Sequence, residues 1–371
     1  MMRHPMDARF ESARAAFLQG LAHYQAGRFE AAEREFAGSL ALVPGRVSTL
    51  TNLGATRLKL GRPQDALEVL QQALAQDADN AEALGHLATA LAELDRPAEA
   101  LAAVGRALQL DTAAGAAWLL QATLLREQGR REEAAASYRE ALARGADPQV
   151  ARYCLAALSG EPAPPAPPRH YVEQLFDAYA EGFDAHLVEA LQYRAPAILV
   201  DGLDRSSFAA ALDLGCGTGL CGPLLRPRVQ RLVGVDLSAN MVDQARRRGA
   251  YDQVVQADVA EHLARTPERY ELLIAADVFI YVGALDAVFA GAARVLQPGG
   301  VFCFSAEAAD GQDDLVLRAS LRYAHSERYI RMLAGQHGFA VRHVARHPLR
   351  IDQGRPVAGL FAWLVLRGPA G

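Results

Sequence analysis

Laid on a 34-residue ruler, the first part of this chain lines up with itself, and no other feature narrows its fold so far. Blocks starting at Ala13, Val47, Ala81 and Gly115 place Gly20, Gly54, Ala88 and Ala122 at the eighth position and Ala32, Ala66, Ala100 and Ala134 at the twentieth. Small residues at these two places let antiparallel helices approach closely. The fifteenth position holds Gly27, Gly61, Asp95 and Gly129, at the turn between the helices. The twenty-seventh holds Ser39, Ala73, Ala107 and Ala141. A helix pair of this kind leaves its apolar face open, so the repeats must stack into a solenoid.

This period and pattern resemble the tetratricopeptide repeat, in blocks 13–46, 47–80, 81–114 and 115–148, with Trp118 and Tyr138 at its aromatic positions. Residues 149–159 read as a partial helix covering the last repeat. The resemblance implies a concave groove for a peptide or protein partner. The blander alternative is a scaffold for homo-oligomer assembly.

The stretch Glu161-Pro162-Ala163-Pro164-Pro165-Ala166-Pro167-Pro168 then puts five prolines in eight residues. Such a run forms neither a helix nor a central strand and favours a stiff spacer. The expected division is a solenoid over 1–160, a proline-rich linker over 161–168 and a second domain over 169–371.

In that second domain Tyr171, Leu175, Phe176, Tyr179, Phe183, Leu187 and Leu191 recur at helical spacing, giving amphipathic helices rich in aromatics that cover either the sheet edge or a pocket. Strands are expected at 210–214, 231–235, 253–256, 272–276, 301–304, 340–344 and 357–366, with helices between the first six. Alternation of this kind calls for a parallel sheet covered on both faces, with the last two strands as an antiparallel hairpin at one edge.

The strand ends carry the chemistry. The first runs through Asp213 into Gly215, Gly217 and Gly219, a turn where backbone can approach a ligand closely. The second ends in Asp236-Leu237, the third in Asp258-Val259 and the fourth in Asp277. Leu220 stands where a dinucleotide fingerprint needs its third glycine, which argues against a nicotinamide enzyme. Order and spacing resemble the class I S-adenosylmethionine-dependent methyltransferases. The fold class implied is thus multidomain: an all-α tetratricopeptide-like solenoid plus an α/β Rossmann-like methyltransferase domain with a seven-stranded, mostly parallel sheet.

What the resemblance implies can be placed residue by residue. Gly215, Gly217 and Gly219 would admit the methionine part of S-adenosyl-L-methionine, with Asp213 near its amino group. Asp236 would accept from the ribose hydroxyls, with Leu237 beside it. Asp258 would meet the adenine amino group, with Val259 beside the ring and Met241 as an apolar wall. Tyr179 is counted among the cofactor contacts, and Asp277 opens the loop where acceptor meets sulfonium. The product would be S-adenosyl-L-homocysteine. A general base is required only for an acceptor that arrives protonated. Tyr281 and His325 are the candidates, His325 because its segment precedes a helix where a substrate loop would close.

Composition removes other classes. Net charge is -5 with no block of like charge, so no nucleic-acid partner is indicated. The four cysteines, Cys154, Cys216, Cys221 and Cys303, form no C-x-x-C pair, which speaks for reduced thiols and no metal site. No apolar leader or membrane span is legible, so a cytoplasmic protein is expected. Three functions compete: transfer to a peptide, protein or carrier-bound acceptor presented by the repeats; transfer to a small metabolite, with repeats for assembly; and a scaffold that binds the cofactor without catalysis.

Overall fold

The computed structural model describes residues 5–179, 184, 192–352 and 354–368. The chain divides into two compact units, Met1–Leu158 and Ser159–Gly371.

The first unit consists, among the described residues, of α1 (Pro5–Gln25), α2 (Phe29–Leu42), α3 (Val47–Lys59), α4 (Pro63–Gln76), α5 (Ala81–Glu93), α6 (Pro97–Leu110), α7 (Gly115–Glu127), α8 (Arg131–Ala143) and α9 (Pro148–Ser159). The repeat positions explain its packing. Ala32, Ala66, Ala100 and Ala134 are fully buried. A Cβ on Gly54 would lie 2.5 Å from Leu70 Cγ, so only glycine lets those helices meet. Gly27, Gly61 and Gly129 have φ of +70°, +67° and +75°, and Asp95 adopts +55° at the same place. Ser39, the one departure from alanine at its position, is buried and donates from Oγ to Ala13 O at 2.8 Å. Pairing satisfies the hydroxyl that burial would otherwise penalise.

The second unit is built on a nine-stranded sheet: β1 (Phe208–Leu214), β2 (Val229–Asp236), β3 (Gln253–Gln256), β4 (Tyr270–Ala275), β5 (Leu296–Ala308), β6 (Leu315–Leu317), β7 (Tyr323–His325), β8 (Phe339–Asp352) and β9 (Arg355–Leu366). Parallel pairing gives the order β3-β2-β1-β4-β5, with β9 and then β8 antiparallel beyond β5. These seven strands are the expected sheet; the expectation fails by two. Glu307 of β5 pairs with Gly359 of β9 and also with Ala324 of β7, so β7 lies on the edge opposite β9. That is the edge β4 occupies lower down, through Ala275 and Phe304. The hairpin β6–β7 therefore extends the sheet above the carboxyl end of β4. Each of its strands has three residues, too few for alternation to register in the sequence.

Phe279, Phe289, Phe302, Phe304 and Phe339 form the aromatic centre of one sheet face, all essentially buried. The proline stretch is held rather than free. Tyr323 Oη donates to Pro164 O at 2.9 Å and Ala284 N to Pro165 O at 2.8 Å. Gly283 leaves the room, since a Cβ there would strike Pro165 O.

Candidate functional site

The turn after β1 needs its glycines. Gly215, Gly217 and Gly219 have φ of +61°, +53° and +91°, in the left-handed region. A Cβ on Gly215 would also stand 2.6 Å from Val278 Cγ2. Gly217 N donates to Asp236 Oδ2 at 2.8 Å and Ser238 N to Asp236 Oδ1 at 2.9 Å, so the carboxylate at the end of β2 fixes the turn after β1. Burial raises the Asp236 pKa, and the backbone donors of Ser238, Gly217 and Leu237 oppose it. The helix Ala239–Arg248 is capped by Ser238, whose Oγ accepts from Met241 N at 3.1 Å. Asp236 is thereby free of capping duty.

These strand ends open on a cavity of about 370 Å³. Gly215, Gly217, Asp236, Leu237, Asp258, Val259, Asp277 and Tyr281 all line it, so most of the residues expected from the sequence come together. Asp258 also caps the helix Val259–Arg265, accepting from Glu261 N at 3.0 Å through Oδ1. Helix α10 (Arg169–Tyr179) contributes Val172, Leu175 and Phe176, and Phe176 meets Tyr281 edge-on with centroids 4.9 Å apart. It is latched through Asp177, whose Oδ1 accepts from Ser238 Oγ at 2.5 Å while Asn240 Nδ2 donates to Asp177 O at 3.0 Å.

The sheet order puts the ends of β1, β2 and β3 on one side of the cavity and the loop after β4 on the other. At that second side stand Arg350 and Arg322. Arg350 Nη1 binds both oxygens of Asp277, at 2.9 and 3.1 Å, and Nη2 binds Glu307. Burial would lower the Arg350 pKa; Asp277 and Glu307 outweigh it and raise the value. Arg318 Nε closes the network on Glu307 at 3.3 Å. Arg322 Nη1 meets Asp352 Oδ2 at 3.0 Å. The Arg322 pKa is likewise raised, with Tyr281, Glu307 and Asp277 opposing the penalty of burial.

Comparison with known proteins agrees with this geometry. Residues 212–304 match a methyltransferase domain, and residues 8–47, 57–124 and 115–144 match tetratricopeptide repeats. The chain joins tetratricopeptide repeats to an S-adenosylmethionine-dependent methyltransferase domain. It is 30% identical over 185 residues to a malonyl-[acyl-carrier protein] O-methyltransferase of Enterobacter lignolyticus, covering 49% of this chain and 66% of that protein. It is 33% identical over 141 residues to the human methyltransferase-like protein 27, covering 35% and 55%. The chain thus spans between about half and two thirds of these curated relatives. The solved N-methyltransferase NodS from Bradyrhizobium japonicum, in complex with S-adenosyl-L-homocysteine, is 18% identical with a TM-score of 0.44, covering 53% of this chain and 98% of that one.

Several expected residues stand away from the methyltransferase cavity. Asp213 is buried behind the glycine turn, where its Oδ2 accepts from Tyr251 Oη at 2.6 Å. Gly219 and Met241 pack beneath the lining, Gly219 against the Tyr251 ring. The side chain of Tyr179 lies outside the described residues. His325 is the clearest correction. It is fully buried in β7, its Nε2 is 2.7 Å from Gly283 O, and burial lowers its pKa to about 4. A ring enclosed in the added hairpin holds the loop after β4 and reaches no substrate.

The arginines are what sequence reasoning missed. Neither Arg322 nor Arg350 stands at the end of one of the first four strands, where the sequence places the chemistry, and Arg350 falls between the two strands expected for the C-terminal hairpin. The signal was Pro348 inside a strand. Pairing shifts between Pro348 and Arg350, so Leu349 has no partner, and Leu349 and Arg350 are consecutive and both buried. A bulge of this kind re-aims a side chain, here an arginine into the cavity wall. Among the described residues no cluster of metal-ligating side chains exists, and no helix is long and apolar enough to cross a membrane.

Proposed function

We propose that this chain transfers a methyl group from S-adenosyl-L-methionine to an acceptor presented by its repeats on a peptide, a protein or a carrier. The observation that carries the reading is Asp236, a half-buried carboxylate at the end of β2 that lines the cavity beside a glycine turn with no room for side chains. Two of its lone pairs hold backbone amides. The remaining ones suit a pair of ribose hydroxyls. Asp258 and Val259 would meet the adenine ring and Gly215 and Gly217 the methionine end, a reading supported by all four lining the one cavity. The cofactor supplies a methyl already activated on a sulfonium. The protein's own task is to order two reactants and exclude water, for which Val172, Leu175 and Phe176 form an apolar wall.

The presenting role is supported by the repeats and by likeness to a relative named for a carrier-protein acceptor. Calorimetry with S-adenosyl-L-methionine tests the core reading. Wild type should bind, and Asp236→Ala should weaken binding about 100-fold, the loss of two hydrogen bonds to a charged group at ~1.5 kcal/mol each. An undetectable heat for wild type would sink the reading.

A further inference from the structure

Resting on that methyltransferase reading, we infer that the acceptor is a carboxylate, held by Arg322 at the far side of the cavity and methylated on oxygen to an ester. Three observations lead there. The first is charge. The wall beyond the loop after β4 carries two guanidinium groups, Arg322 and Arg350, against one carboxylate, Asp277. Asp277 is already bound by Arg350 through both oxygens, so it neither repels an incoming anion nor acts as a free base.

The second is donor capacity. A guanidinium carries five N–H donors in a planar fork matched to two oxygens. Arg350 spends its fork on Asp277 and Glu307. Arg322 meets Asp352 through Nη1 alone among protein carboxylates, and Asp352 does not line the cavity. Arg322 therefore keeps donors for a ligand. Tyr281 stands beside it and takes one of its hydrogen bonds, which leaves the rest of the fork, and the apolar Val278, Ile280 and Val282 also line the cavity; a largely apolar wall strengthens an ion pair while penalising any acceptor whose polar end is left unmatched.

The third is the missing base. His325 is enclosed away from the cavity, and no described lining residue is a histidine or lysine; of the other lining groups, Tyr281 is hydrogen-bonded to Arg322, Asp258 caps its helix beside the β3 end, and burial raises the Tyr193 pKa. The lining thiols, Cys216 and Cys221, have pKa values pushed up by burial, and both oxygens of Asp236 accept backbone amides. An amine, alcohol or carbon acid would need a proton removed; a carboxylate at neutral pH would not. The step balances without a proton. A carboxylate oxygen lone pair forms the O–CH3 bond while the S–CH3 bond breaks with its pair left on sulfur. The carboxylate and sulfonium charges disappear together, leaving an ester and the neutral thioether of S-adenosyl-L-homocysteine. Charge lost in the product also favours its departure from Arg322.

The test uses the full chain and two measurements. Methyl-labelled S-adenosyl-L-methionine is incubated with the protein and an extract of its source cells, and the labelled product is treated with mild alkali. An ester releases its label as volatile methanol, whereas methyl groups on nitrogen, carbon, sulfur or ether oxygen remain. Expected are alkali-released label, a fall of about 100-fold for Arg322→Gln, a smaller fall for Arg322→Lys, and S-adenosyl-L-homocysteine affinity within about twofold of wild type for both. The second measurement is calorimetry of glutarate and its uncharged analogue glutaramide on protein saturated with S-adenosyl-L-homocysteine. Glutarate should bind better, and Arg322→Gln should remove the preference. Alkali-stable label, or glutarate binding no better than glutaramide, overturns the carboxylate while leaving methyl transfer standing. Failure of wild type to bind the cofactor overturns the underlying reading instead.

Discussion

Two buried groups in the second unit should pull its stability in opposite directions with pH, and removing either exposes the other. Asp213 is enclosed behind the glycine turn. Burial raises its pKa from 3.8 to about 7, helped by the nearby Asp236 charge and opposed by the Tyr251 hydroxyl. A carboxylate with a raised folded pKa holds its proton longer when folded. It therefore lowers stability as pH rises from the unfolded value to about 7. Three units at ~1.4 kcal/mol each amount to about 4 kcal/mol lost by pH 8. His325 has the opposite sign. Its folded pKa falls from 6.5 to about 4, so the unfolded chain takes the proton first and stability is lost as pH drops through that window, by about 3 kcal/mol. Between pH 4 and 6.5 these two contributions should nearly cancel in wild type. Asp213→Asn should rise across that window and level off, and His325→Gln should fall across it and on toward neutrality. The assay is urea unfolding of the full chain in a Trp118→Phe background. The chain has two tryptophans, and the remaining Trp363 is buried with its Nε1 bonded to Leu199 O at 3.1 Å. A stability difference between Asp213→Asn and wild type that stays constant from pH 4 to 8 would refute the protonated Asp213.

In the repeats, Gly54→Ala should lower stability by about 1–3 kcal/mol because its Cβ meets the fully buried Leu70. Gly105→Ala, in a helix interior with nothing within 4 Å of a new Cβ, should raise it by about 1 kcal/mol. Scanning calorimetry of both variants checks the pair, and equal shifts would contradict the close-approach account. Tyr323→Phe removes the bond to Pro164 O, worth about 1 kcal/mol, and should speed hydrogen exchange at the Ala284 amide, which donates to Pro165 O. Unchanged protection of Ala284 would show that the proline segment is held by other means.

How much of this was legible in the chain depends on the size of the signal each element leaves. The 34-residue period carried the solenoid because the same volume constraint recurs at Ala32, Ala66, Ala100 and Ala134, where any larger residue would part the helices. Asp236 was legible because Ser238 two residues on already served as the cap, leaving the carboxylate without a local job. Asp258 both caps a helix and lines the cavity, so its place before a helix start does not by itself separate the two roles. Asp213 and His325 misled because a polar residue beside a glycine turn or before a helix looks exposed in sequence. Burial is a property of what folds over it, and here Tyr251 and the β6–β7 hairpin do so. The Arg350–Asp277 pair joins residues 73 positions apart, a spacing no periodicity reports.

The misplaced histidine and the missed arginines have one structural cause. The additions to the seven-strand sheet gather at the carboxyl end of β4 and β5: the β6–β7 hairpin on one edge of β5 and the bulged end of β8 beyond the other. Together they bring His325, Arg322 and Arg350 to the loop after β4. His325 binds the Gly283 carbonyl from one direction, and Pro165 O accepts from Ala284 from another. Arg350 fixes Asp277, which sits at φ +60° and donates its amide to Ser305 Oγ at 2.8 Å. A non-glycine residue in that conformation persists only when its surroundings over-determine it. The loop from Asp277 to Ala284 is thus held at both ends by residues outside the glycine turn and Asp236. The hydrogen bonds that hold the glycine turn and those that hold the loop after β4 are distinct, although Val278 packs against Gly215, so substitutions in the β6–β7 hairpin should alter acceptor handling more than they alter the glycine turn.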